Sequence, residues 1–306
     1  MNKLYDIIII GGGPAGWTAA LYAARAGFEA LVIEKMAPGG QMTLTGEIEN
    51  YPGFGEGISG FALGAKMQKD AEMFGALSKF GEVLSVDFSN KIKKVSLASE
   101  TLEAKAIFIA TGAKAKTLGI SGEEGLIGRG IHYCAHCDGR FYKDKTVMVI
   151  GGGNSAAGDA IYLSRIAKKV ILVHRRDVLR AGKIYQDNLK NAKNIEILFN
   201  NAVYEFKTET KVTGALLKNT MTKETSEVLC DGIFISIGRQ PETEIFKDII
   251  DIDNNGYIIA DESTKTNIDG VFAIGDVRTK ALRQIVTATA DGATAVHFAE
   301  EYLSNF

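Results

Sequence analysis

Two glycine-rich turns, each directly after a run of apolar residues, constrain the fold of this chain more than any other feature. The first, Gly11-Gly12-Gly13-Pro14-Ala15-Gly16, follows the β-branched run 4–10. The second, Gly151-Gly152-Gly153-Asn154-Ser155-Ala156, follows a similar run at 145–150. Residues of helical composition come after each turn. A strand, a G-x-G-x-x-G or G-x-G-x-x-A turn and a helix are together typical of a dinucleotide-binding unit.

The spacing within the first turn gives each glycine a separate role. Gly11 permits the tight turn, Gly13 lets backbone approach a pyrophosphate, and Gly16 lets the helix pack closely on the strand. Glu34 ends the next apolar run, 18 residues after Gly16. An acid at this point can accept hydrogen bonds from ribose hydroxyls. The first unit is therefore predicted to bind an adenine dinucleotide through a free ribose.

The second unit carries positive charge where the first carries the acid. His174 lies 23 residues after Gly151, and Glu34 lies 23 residues after Gly11. Arg175, Arg176 and Arg180 follow His174. Guanidinium groups make charge-assisted, bidentate contacts with phosphate, so this cluster favours a 2′-phosphate and predicts NADPH as the ligand.

A cysteine pair lies just before the second turn. Cys134 and Cys137 are two residues apart, and Asp138 follows directly. Redox chemistry, a structural disulfide and a zinc site with His132 and His136 are the alternatives for such a pair. Zinc sites usually need four ligands at set spacing, and the chain has no second C-x-x-C, so redox chemistry is favoured. The third cysteine, Cys230, lies in a strand pattern and is interpreted as a buried apolar residue.

Length, charge and hydropathy narrow the class of protein. The 306 residues suggest about two domains, and a net charge of −2 argues against a nucleic-acid-binding surface. No apolar run reaches the ~18 residues of a membrane helix, and the N-terminal run is too short for a secretory signal. Together with only three cysteines, this predicts a cytoplasmic protein that does not act at a membrane.

The remaining pattern predicts an α/β fold with two Rossmann-like dinucleotide-binding domains, each with a parallel sheet and a small antiparallel sheet. Residues 59–80 are predicted as one amphipathic helix and residues 81–105 as short antiparallel strands. An alanine-rich helix is expected to run to about Leu303 and to pack on the first domain. We place the first domain at 1–114 and 243–306, interrupted by the second at 115–242.

The chain resembles the low-molecular-weight thioredoxin reductases of bacteria, plants and fungi, over essentially its whole length. The resembling stretches are G-G-G-P-A-G at 11–16, G-G-Q at 39–41, E-N-Y-P-G at 49–53, A-T-G at 110–112, C-A-H-C-D-G at 134–139, G-G-G-N-S-A at 151–156, H-R-R-D-V-L-R-A at 174–181, V-F-A-I-G-D at 271–276 and R-Q at 283–284.

The resemblance implies a set of cofactor-binding residues for each domain. For FAD they are Gly11, Gly13, Pro14, Ala15, Gly16, Glu34, Lys35, Gly40, Gln41, Asn50, Val83, Ala110, Thr111, Gly112, Gly275, Asp276, Arg283, Gln284 and Ile285. For NADPH they are Gly151, Gly153, Asn154, Ser155, Ala156, His174, Arg175, Arg176, Arg180, Ile237 and Gly238.

The resemblance also implies an activity. NADPH reduces FAD, the flavin reduces the Cys134–Cys137 disulfide, and the resulting dithiol reduces thioredoxin. Cys137 is then the cysteine nearer the flavin, Cys134 attacks the partner disulfide, and Asp138 is the candidate acid–base residue. Members are homodimers. Because the flavin must meet both NADPH and the cysteine pair, rotation of one domain about hinges near 115 and 242 is expected.

Two positions depart from the family pattern. His136 stands where members usually have Thr, and a protonated ring there would favour a thiolate. Gly158-Asp159 stands where the family usually has two glutamates close to the nicotinamide, which affects the expected geometry of hydride donation.

Two other electron-transfer functions remain open at this point. A few relatives take electrons from ferredoxin and have lost the basic NADPH cluster, which this chain retains at 174–180. Other related flavoproteins serve a peroxiredoxin or a glutaredoxin-like partner, and the residues that would select among these partners are not recognisable in the sequence.

Overall fold

The computed structural model describes residues 3–306 and divides into two compact units. Unit 1 contains the chain up to Lys114 together with Gln240–Phe306, and unit 2 contains Ala115–Arg239. The second crossing thus falls three residues before the predicted one at 242/243. Residues 240–242 lie with unit 1 because Glu242 donates its N–H to Gly112 O at 3.0 Å and accepts from Thr111 Oγ1 at 2.7 Å.

Unit 1 is built on one seven-stranded sheet in the order β3-β2-β1-β6-β5-β4, with β17 paired to β6. Strands β1, β2, β3, β6 and β17 run parallel, as expected where helices cover the sheet faces. The strands are β1 (Leu4–Ile10), β2 (Ala30–Glu34), β3 (Leu77–Phe80), β4 (Ser85–Asp87), β5 (Lys93–Ser96), β6 (Thr101–Ile109) and β17 (Val271–Ala273).

The small antiparallel part of unit 1 is continuous with its parallel part through β6. The first half of β6 pairs antiparallel with β5, from Thr101 opposite Ser96 to Ala104 opposite Lys93. The second half pairs parallel with β17. The sequence predicted short antiparallel strands that end at 105, whereas one nine-residue strand continues past that residue and serves both parts of the sheet.

Three long helices belong to unit 1: α1 (Pro14–Arg25), α2 (Gly60–Met73) and α6 (Ile285–Ser304). The prediction of one helix over 59–80 is wrong, because α2 ends at Met73 and residues 77–80 form the edge strand β3. Gly75 adopts a φ of 99°, which breaks the helix, and the next residues pair with β2. Helix α6 packs against α1, as expected, and Gly292 permits close approach because a Cβ there would collide with Ala15 O.

Unit 2 has a parallel sheet in the order β11-β10-β9-β15-β8 and a separate antiparallel sheet in the order β12-β13-β14. Its parallel strands are β8 (Ile131–His132), β9 (Thr146–Ile150), β10 (Lys169–His174), β11 (Ile195–Phe199) and β15 (Gly232–Ile235). Its antiparallel strands are β12 (Asn201–Thr208), β13 (Val212–Asn219) and β14 (Thr225–Leu229), and its helices are α3 (Ala135–Asp138), α4 (Asn154–Ser164) and α5 (Lys183–Asn191).

The chain passes between the units through two short strands that pair with each other, β7 (Ala113–Ala115) and β16 (Arg239–Pro241). At one end of this ribbon Lys116 N donates to Gly238 O at 3.0 Å, and at the other Glu242 N donates to Gly112 O. The two strands therefore run in opposite directions.

Short 3₁₀ helices complete the fold, at Gly40–Leu44, Glu124–Leu126, Gly139–Tyr142, Glu244–Phe246 and Gly275–Val277. Within residues 3–306, no helix has both the length and the apolar character needed to cross a bilayer.

Each unit buries its own apolar residues. In unit 1 one cluster lies between the sheet and α1 and α6, including Trp17 and Phe108, and a second lies on the other face, including Phe246. In unit 2 one cluster packs under α4 and a second lies towards the antiparallel sheet. This packing holds both glycine turns at the carboxyl ends of parallel strands, where α/β sheets bind ligands.

Candidate active site

The first glycine turn combines tight packing with an open edge. Gly11 adopts a φ of 108°, and a Cβ there would lie 2.5 Å from Ala110 O. A Cβ on Gly16 would collide with Gly11 O. Gly13, in contrast, has nothing within 4 Å of the Cβ position. The turn therefore needs glycine at 11 and 16 for its own structure, while the space beside Gly13 is available to a ligand.

Glu34 fixes the far side of this turn. Its Oε2 accepts from Gly12 N at 2.7 Å and its Oε1 accepts from Met36 N at 2.8 Å. The carboxylate thus sits against the turn at the end of β2, and its remaining lone pairs can accept further hydrogen bonds.

Several predicted FAD residues meet at this turn although they are distant in sequence. Gly39 N donates to Gly12 O at 2.7 Å, and a Cβ on Gly40 would lie 3.4 Å from Gly13 Cα. Gly275 has a φ of 75°, and its Cβ position is 3.0 Å from the Ala15 Cβ. Pro14 opens α1, and Gln41 lies in the 3₁₀ helix that begins at Gly40. Ala110 N donates to Ile10 O, which places the end of β6 beside the turn.

A second group of predicted FAD residues surrounds the start of α6. Asn50 Nδ2 donates to Gln284 Oε1 at 3.2 Å, and Gln284 caps α6, whose first residue is Ile285. Arg283 donates to Arg278 O at 3.1 Å and to Asp276 O at 3.4 Å, and its guanidinium lies 3.9 Å from the Tyr257 ring centroid.

Three other predicted FAD residues have structural partners of their own. Lys35 pairs with Glu242 at 3.4 Å, and Thr111 donates to the carbonyl of the same residue. Val83 is buried in the apolar cluster of unit 1 that contains Phe246.

The second glycine turn repeats the first with different side chains. A Cβ on Gly151 would collide with Ser236 O, and Ala156 occupies the position of the packing glycine. Nothing lies within 4 Å of the Cβ position of Gly153. The His174 ring fills the space beside Gly152, in the place where Glu34 meets Gly12 in the first turn. The open position again belongs to the middle glycine.

The basic segment after β10 folds back onto this turn. Arg180 N and Ala181 N both donate to Gly152 O, at 2.7 and 3.1 Å. Gly182 N donates to Asn154 Oδ1 at 2.8 Å. The side chains of Arg175, Arg176 and Arg180 are exposed, and their positive charges reach His174. Ser155 is also exposed, Ile237 packs in the cluster towards the antiparallel sheet, and Gly238 has a φ of 107°.

His174 contributes a polar imidazole ring to this cluster, not a positive charge. Burial lowers the pKa of its imidazole, and the nearby positive charges of Arg180, Arg176 and Arg175 lower it further. The buried Nε2 has no hydrogen-bond partner among the described residues. A buried imidazole nitrogen without a partner next to an open glycine fits a site that a polar ligand completes.

Cys134 and Cys137 form a disulfide with a Cα–Cα distance of 5.3 Å. Cys134 precedes the four-residue helix α3, and its sulfur accepts from Cys137 N at 3.2 Å. Both residues are partly exposed. Among residues 3–306, no three His, Cys, Asp or Glu side chains are grouped so as to hold a metal ion.

Asp138 belongs to a buried chain of polar groups that the sequence did not reveal. Its Oδ2 lies 3.1 Å from His132 Nδ1, and His132 Nε2 lies 2.7 Å from Tyr142 Oη. The sequence suggests His132 only as a zinc ligand and gives no role to Tyr142. The available signal was a histidine inside an apolar strand segment, where a polar ring needs partners.

His136 and Asp159, the two departures from the family pattern, interact. The His136 ring lies 4.1 Å from the ring of Tyr162 on α4. Burial raises the pKa of Asp159, while a bond from Ser236 Oγ at 2.5 Å and the charges of His136 and Arg239 favour its ionised form. Gly158 faces the Tyr185 ring, 3.6 Å from its Cβ position. The two substitutions therefore join the cysteine segment to helix α4.

Cys230 differs from the disulfide cysteines in its burial and in the reactivity of its thiol. It is 5% exposed in the cluster towards the antiparallel sheet, and burial raises the pKa of its thiol to about 12. A thiol that stays protonated is a poor nucleophile, consistent with the interpretation of Cys230 as an apolar residue.

Comparison with known proteins shows the family to which this chain belongs. The model of the pyridine nucleotide-disulphide oxidoreductase family matches residues 5–292. The chain belongs to this family. A thioredoxin reductase of Listeria monocytogenes is 48% identical over 303 residues, which cover 99% of this chain and 95% of the relative.

Solved structures of other family members extend the likeness. A thioredoxin reductase from Streptococcus pyogenes is 45% identical, with a TM-score of 0.94 over 100% of both chains. A thioredoxin reductase from Lactococcus lactis, described as in the FR conformation, is 42% identical, with a TM-score of 0.69 over 99% of this chain and 100% of that one. Relatives of nearly equal identity thus differ widely in how well they superpose over the whole chain.

Proposed function

We propose that this protein is an NADPH-dependent thioredoxin reductase that contains FAD. The observation that carries the proposal is the disulfide between Cys134 and Cys137, in a chain that also has two dinucleotide-binding turns. The names of the relatives support thioredoxin as the substrate.

The residues of unit 1 fit FAD, and those of unit 2 fit NADPH. The open edge at Gly13, the carboxylate of Glu34 and the groups around Gln284 would hold FAD. The open edge at Gly153, the His174 ring and the exposed guanidinium groups that follow it would hold NADPH. NADPH held by unit 2 would supply a hydride, and FAD held by unit 1 would supply the means to pass its two electrons to the disulfide.

The chain's own sulfur atoms then carry the chemistry. Two electrons and two protons convert the Cys134–Cys137 disulfide to a dithiol. The Cys134 thiolate attacks one sulfur of thioredoxin, the thioredoxin disulfide breaks, and the sulfur that leaves takes up a proton. Cys137 then attacks Cys134, which releases reduced thioredoxin and restores the disulfide. Asp138, next to Cys137, gives and receives the protons that these steps require.

An anaerobic titration tests the electron donor. We expect NADPH to bleach the flavin absorbance, with NADH and reduced ferredoxin far less effective. Arg175→Ala with Arg176→Ala should lower kcat/KM for NADPH by about 10- to 100-fold, the loss expected for charge-assisted contacts, and leave NADH unchanged. Arg165→Ala, at the far end of α4, is the matched control. Flavin bleached by ferredoxin but not by NADPH would favour the ferredoxin-dependent alternative.

Cysteine variants test the route to thioredoxin. Cys134→Ser and Cys137→Ser should keep flavin reduction by NADPH and lose reduction of thioredoxin disulfide. Cys230→Ala should keep both activities. A Cys137→Ser variant that still reduces thioredoxin would exclude the proposed route, and preference for a glutaredoxin-like or peroxiredoxin partner would change the assigned substrate.

We also propose that one unit rotates on the other about the ribbon of β7 and β16 between the two half-reactions. The difference in TM-score between the two solved relatives supports this movement. An engineered crosslink that fixes the units should slow multiple turnover while leaving one half-reaction intact. Undiminished turnover in the crosslinked protein would argue against rotation.

The assembly and the compartment are proposed from the resemblance and the cysteine content. We propose a homodimer in the cytoplasm. Sedimentation equilibrium tests the first statement, and a monomer at micromolar concentration would contradict it. Localisation of a tagged protein tests the second.

A further inference from the structure

The His132 ring lies in a pocket formed by unit 2 immediately behind the cysteine pair. Pairing of β8 with β15 sets His132 opposite Phe234, and the two rings stack with centroids 5.2 Å apart. The edge of Tyr142 packs against both rings, with centroids 5.3 Å from His132 and 5.4 Å from Phe234. His132 is only 7% exposed. Contact with both aromatic rings thus fixes the orientation of the imidazole.

Both ring nitrogens have polar partners. Nε2 lies 2.7 Å from Tyr142 Oη, and Nδ1 lies 3.1 Å from Asp138 Oδ2. Burial raises the pKa of Tyr142, and the charge of Asp138 raises it further, so the phenol keeps its proton. A carboxylate accepts hydrogen bonds, so the hydrogen of the neutral imidazole lies on Nδ1 and is directed to Asp138, and Nε2 accepts from the phenol.

The position of Tyr142 depends on a glycine in the neighbouring strand. A Cβ on Gly232, the first residue of β15, would collide with the Tyr142 ring. The phenol therefore occupies space that only glycine leaves open. This adds a second, independent contact that places Tyr142 against His132.

We infer that His132 and Tyr142 are positioning residues for Asp138 in the thiol–disulfide half-reaction. The inference rests on the proposed function, in which Asp138 exchanges protons with the cysteine sulfurs. A carboxylate that exchanges protons must keep one orientation through the cycle, and a buried donor that is itself fixed by a second donor provides it.

Other charged and titratable groups among the described residues also lie near this chain of three. Lys145 lies 5.4 Å from the Tyr142 ring centroid, and Cys230 and Asp231, just before β15, act on Tyr142. The Cys230 thiol stays protonated, since burial raises its pKa to about 12. On the side of α4, His136 and Asp159 interact with each other.

The chain offers a matched control for Tyr142. Tyr133, next to Cys134, is a second tyrosine with a hydrogen-bonded phenol, but its Oη donates to Glu123 Oε1 at 2.7 Å instead. Burial and Glu123 raise its pKa as well. Tyr142→Phe and Tyr133→Phe therefore each remove one hydrogen-bonded phenol hydroxyl, from residues that follow and precede the cysteine pair in sequence.

The test compares pH profiles of the thiol–disulfide reaction in the FAD-loaded protein. Tyr142→Phe and His132→Phe should lower kcat for thioredoxin reduction by about 3- to 30-fold, because only part of the general acid–base contribution of Asp138 is lost. Both changes should also displace the pH profile of kcat. His132→Asn, whose amide can replace the Nδ1 donor, should recover most of the rate. Tyr133→Phe should keep the normal profile, and all variants should keep the rate of flavin reduction by NADPH.

A Tyr142→Phe profile that superimposes on that of the unaltered protein would overturn the inference, as would His132→Asn being as slow as His132→Phe. Each variant is also assayed with a small aromatic disulfide in place of thioredoxin. If the unaltered protein reduces only the small disulfide, thioredoxin is not its substrate. The same pH comparison then still decides the role of His132 and Tyr142.

Discussion

Gly13 and Gly16 differ in what surrounds them although both belong to the first turn. The Cβ position of Gly16 coincides with backbone of the same turn, while that of Gly13 is open on the side where a pyrophosphate would lie. Gly16 therefore serves the fold, and we propose that Gly13 serves the ligand. The same division holds for Gly151 and Gly153 in unit 2.

Alanine substitutions should separate these two roles. Gly16→Ala should lower the melting temperature of the FAD-free protein by several degrees, since overpacking costs typically 1–3 kcal/mol. Gly13→Ala should leave that melting temperature within about 1 °C and weaken FAD retention in equilibrium dialysis. Equal melting temperatures for the two FAD-free variants would contradict the assignment.

Among the elements, helix α6 is held to the loop before it by a buried ion cluster. Arg278, 2% exposed, donates to both oxygens of Asp291 at 2.8 and 2.9 Å, and Lys280 donates at 2.8 Å. Asp291 also accepts from Gly275 N at 2.8 Å. The helix therefore fixes the segment that carries Asp276, a predicted FAD residue. An aspartate within an alanine-rich helix is the signal of this cluster in the sequence.

Loss of this carboxylate should destabilise unit 1. Burial alone would raise the pKa of Asp291, but the bonds from Arg278 and Lys280 outweigh it and lower the pKa. The stabilisation is thus present above the ordinary aspartate pKa of about 3.9 and is lost as pH falls through the lower folded value. Asp291→Asn should cost about 3–5 kcal/mol at neutral pH.

Thermal unfolding between pH 7 and about pH 3 measures this effect. The difference in melting temperature between the unaltered protein and Asp291→Asn should be constant at neutral pH and narrow below about pH 4. Glu300→Gln, on the exposed side of the same helix, is the control and should change little. A difference that widens on acidification would show that the cluster has the opposite linkage.

At the scale of the whole molecule, the buried apolar clusters do not mix residues of the two units. The clusters containing Trp17 and Phe246 draw only on unit 1, and those containing Leu163 and Phe206 draw only on unit 2. Each unit thus has a hydrophobic core of its own, which is what independent folding requires.

A fragment of residues 113–241 should therefore fold alone. We expect one cooperative thermal transition, in the range of about 45–65 °C typical of single domains, and binding of NADPH measurable by calorimetry. The same fragment with Arg175→Ala and Arg176→Ala should fold equally well and lose most of that binding. A fragment without a cooperative transition would mean that unit 2 needs unit 1 to fold.

Local features made much of this fold predictable. The glycine turns, the strands before them and the long C-terminal helix depend on residues close in sequence, and the structure has them at the expected places. Strand β3 was missed because its pairing with β2 comes from distant contacts, which outweigh the helical pattern of residues 74–80.

The same distinction applies to the candidate site. The disulfide between Cys134 and Cys137 is local, and the spacing of the two cysteines favoured a redox pair. The contact of His132 with Tyr142 and Phe234 requires β8 to lie beside β15, strands separated by about a hundred residues. No pattern in a single sequence specifies such a pairing, so the partners of Asp138 became visible only in the folded protein.

The ribbon of β7 and β16 brings the entry and exit of unit 2 side by side. Unit 2 as a whole is then a long insertion between two neighbouring backbone positions of unit 1. Such a module can be exchanged as a cassette between homologues with cuts at Lys114 and Gln240. Chimaeras made in this way would let the specificity for the electron donor evolve, or be engineered, without disturbing the flavin site.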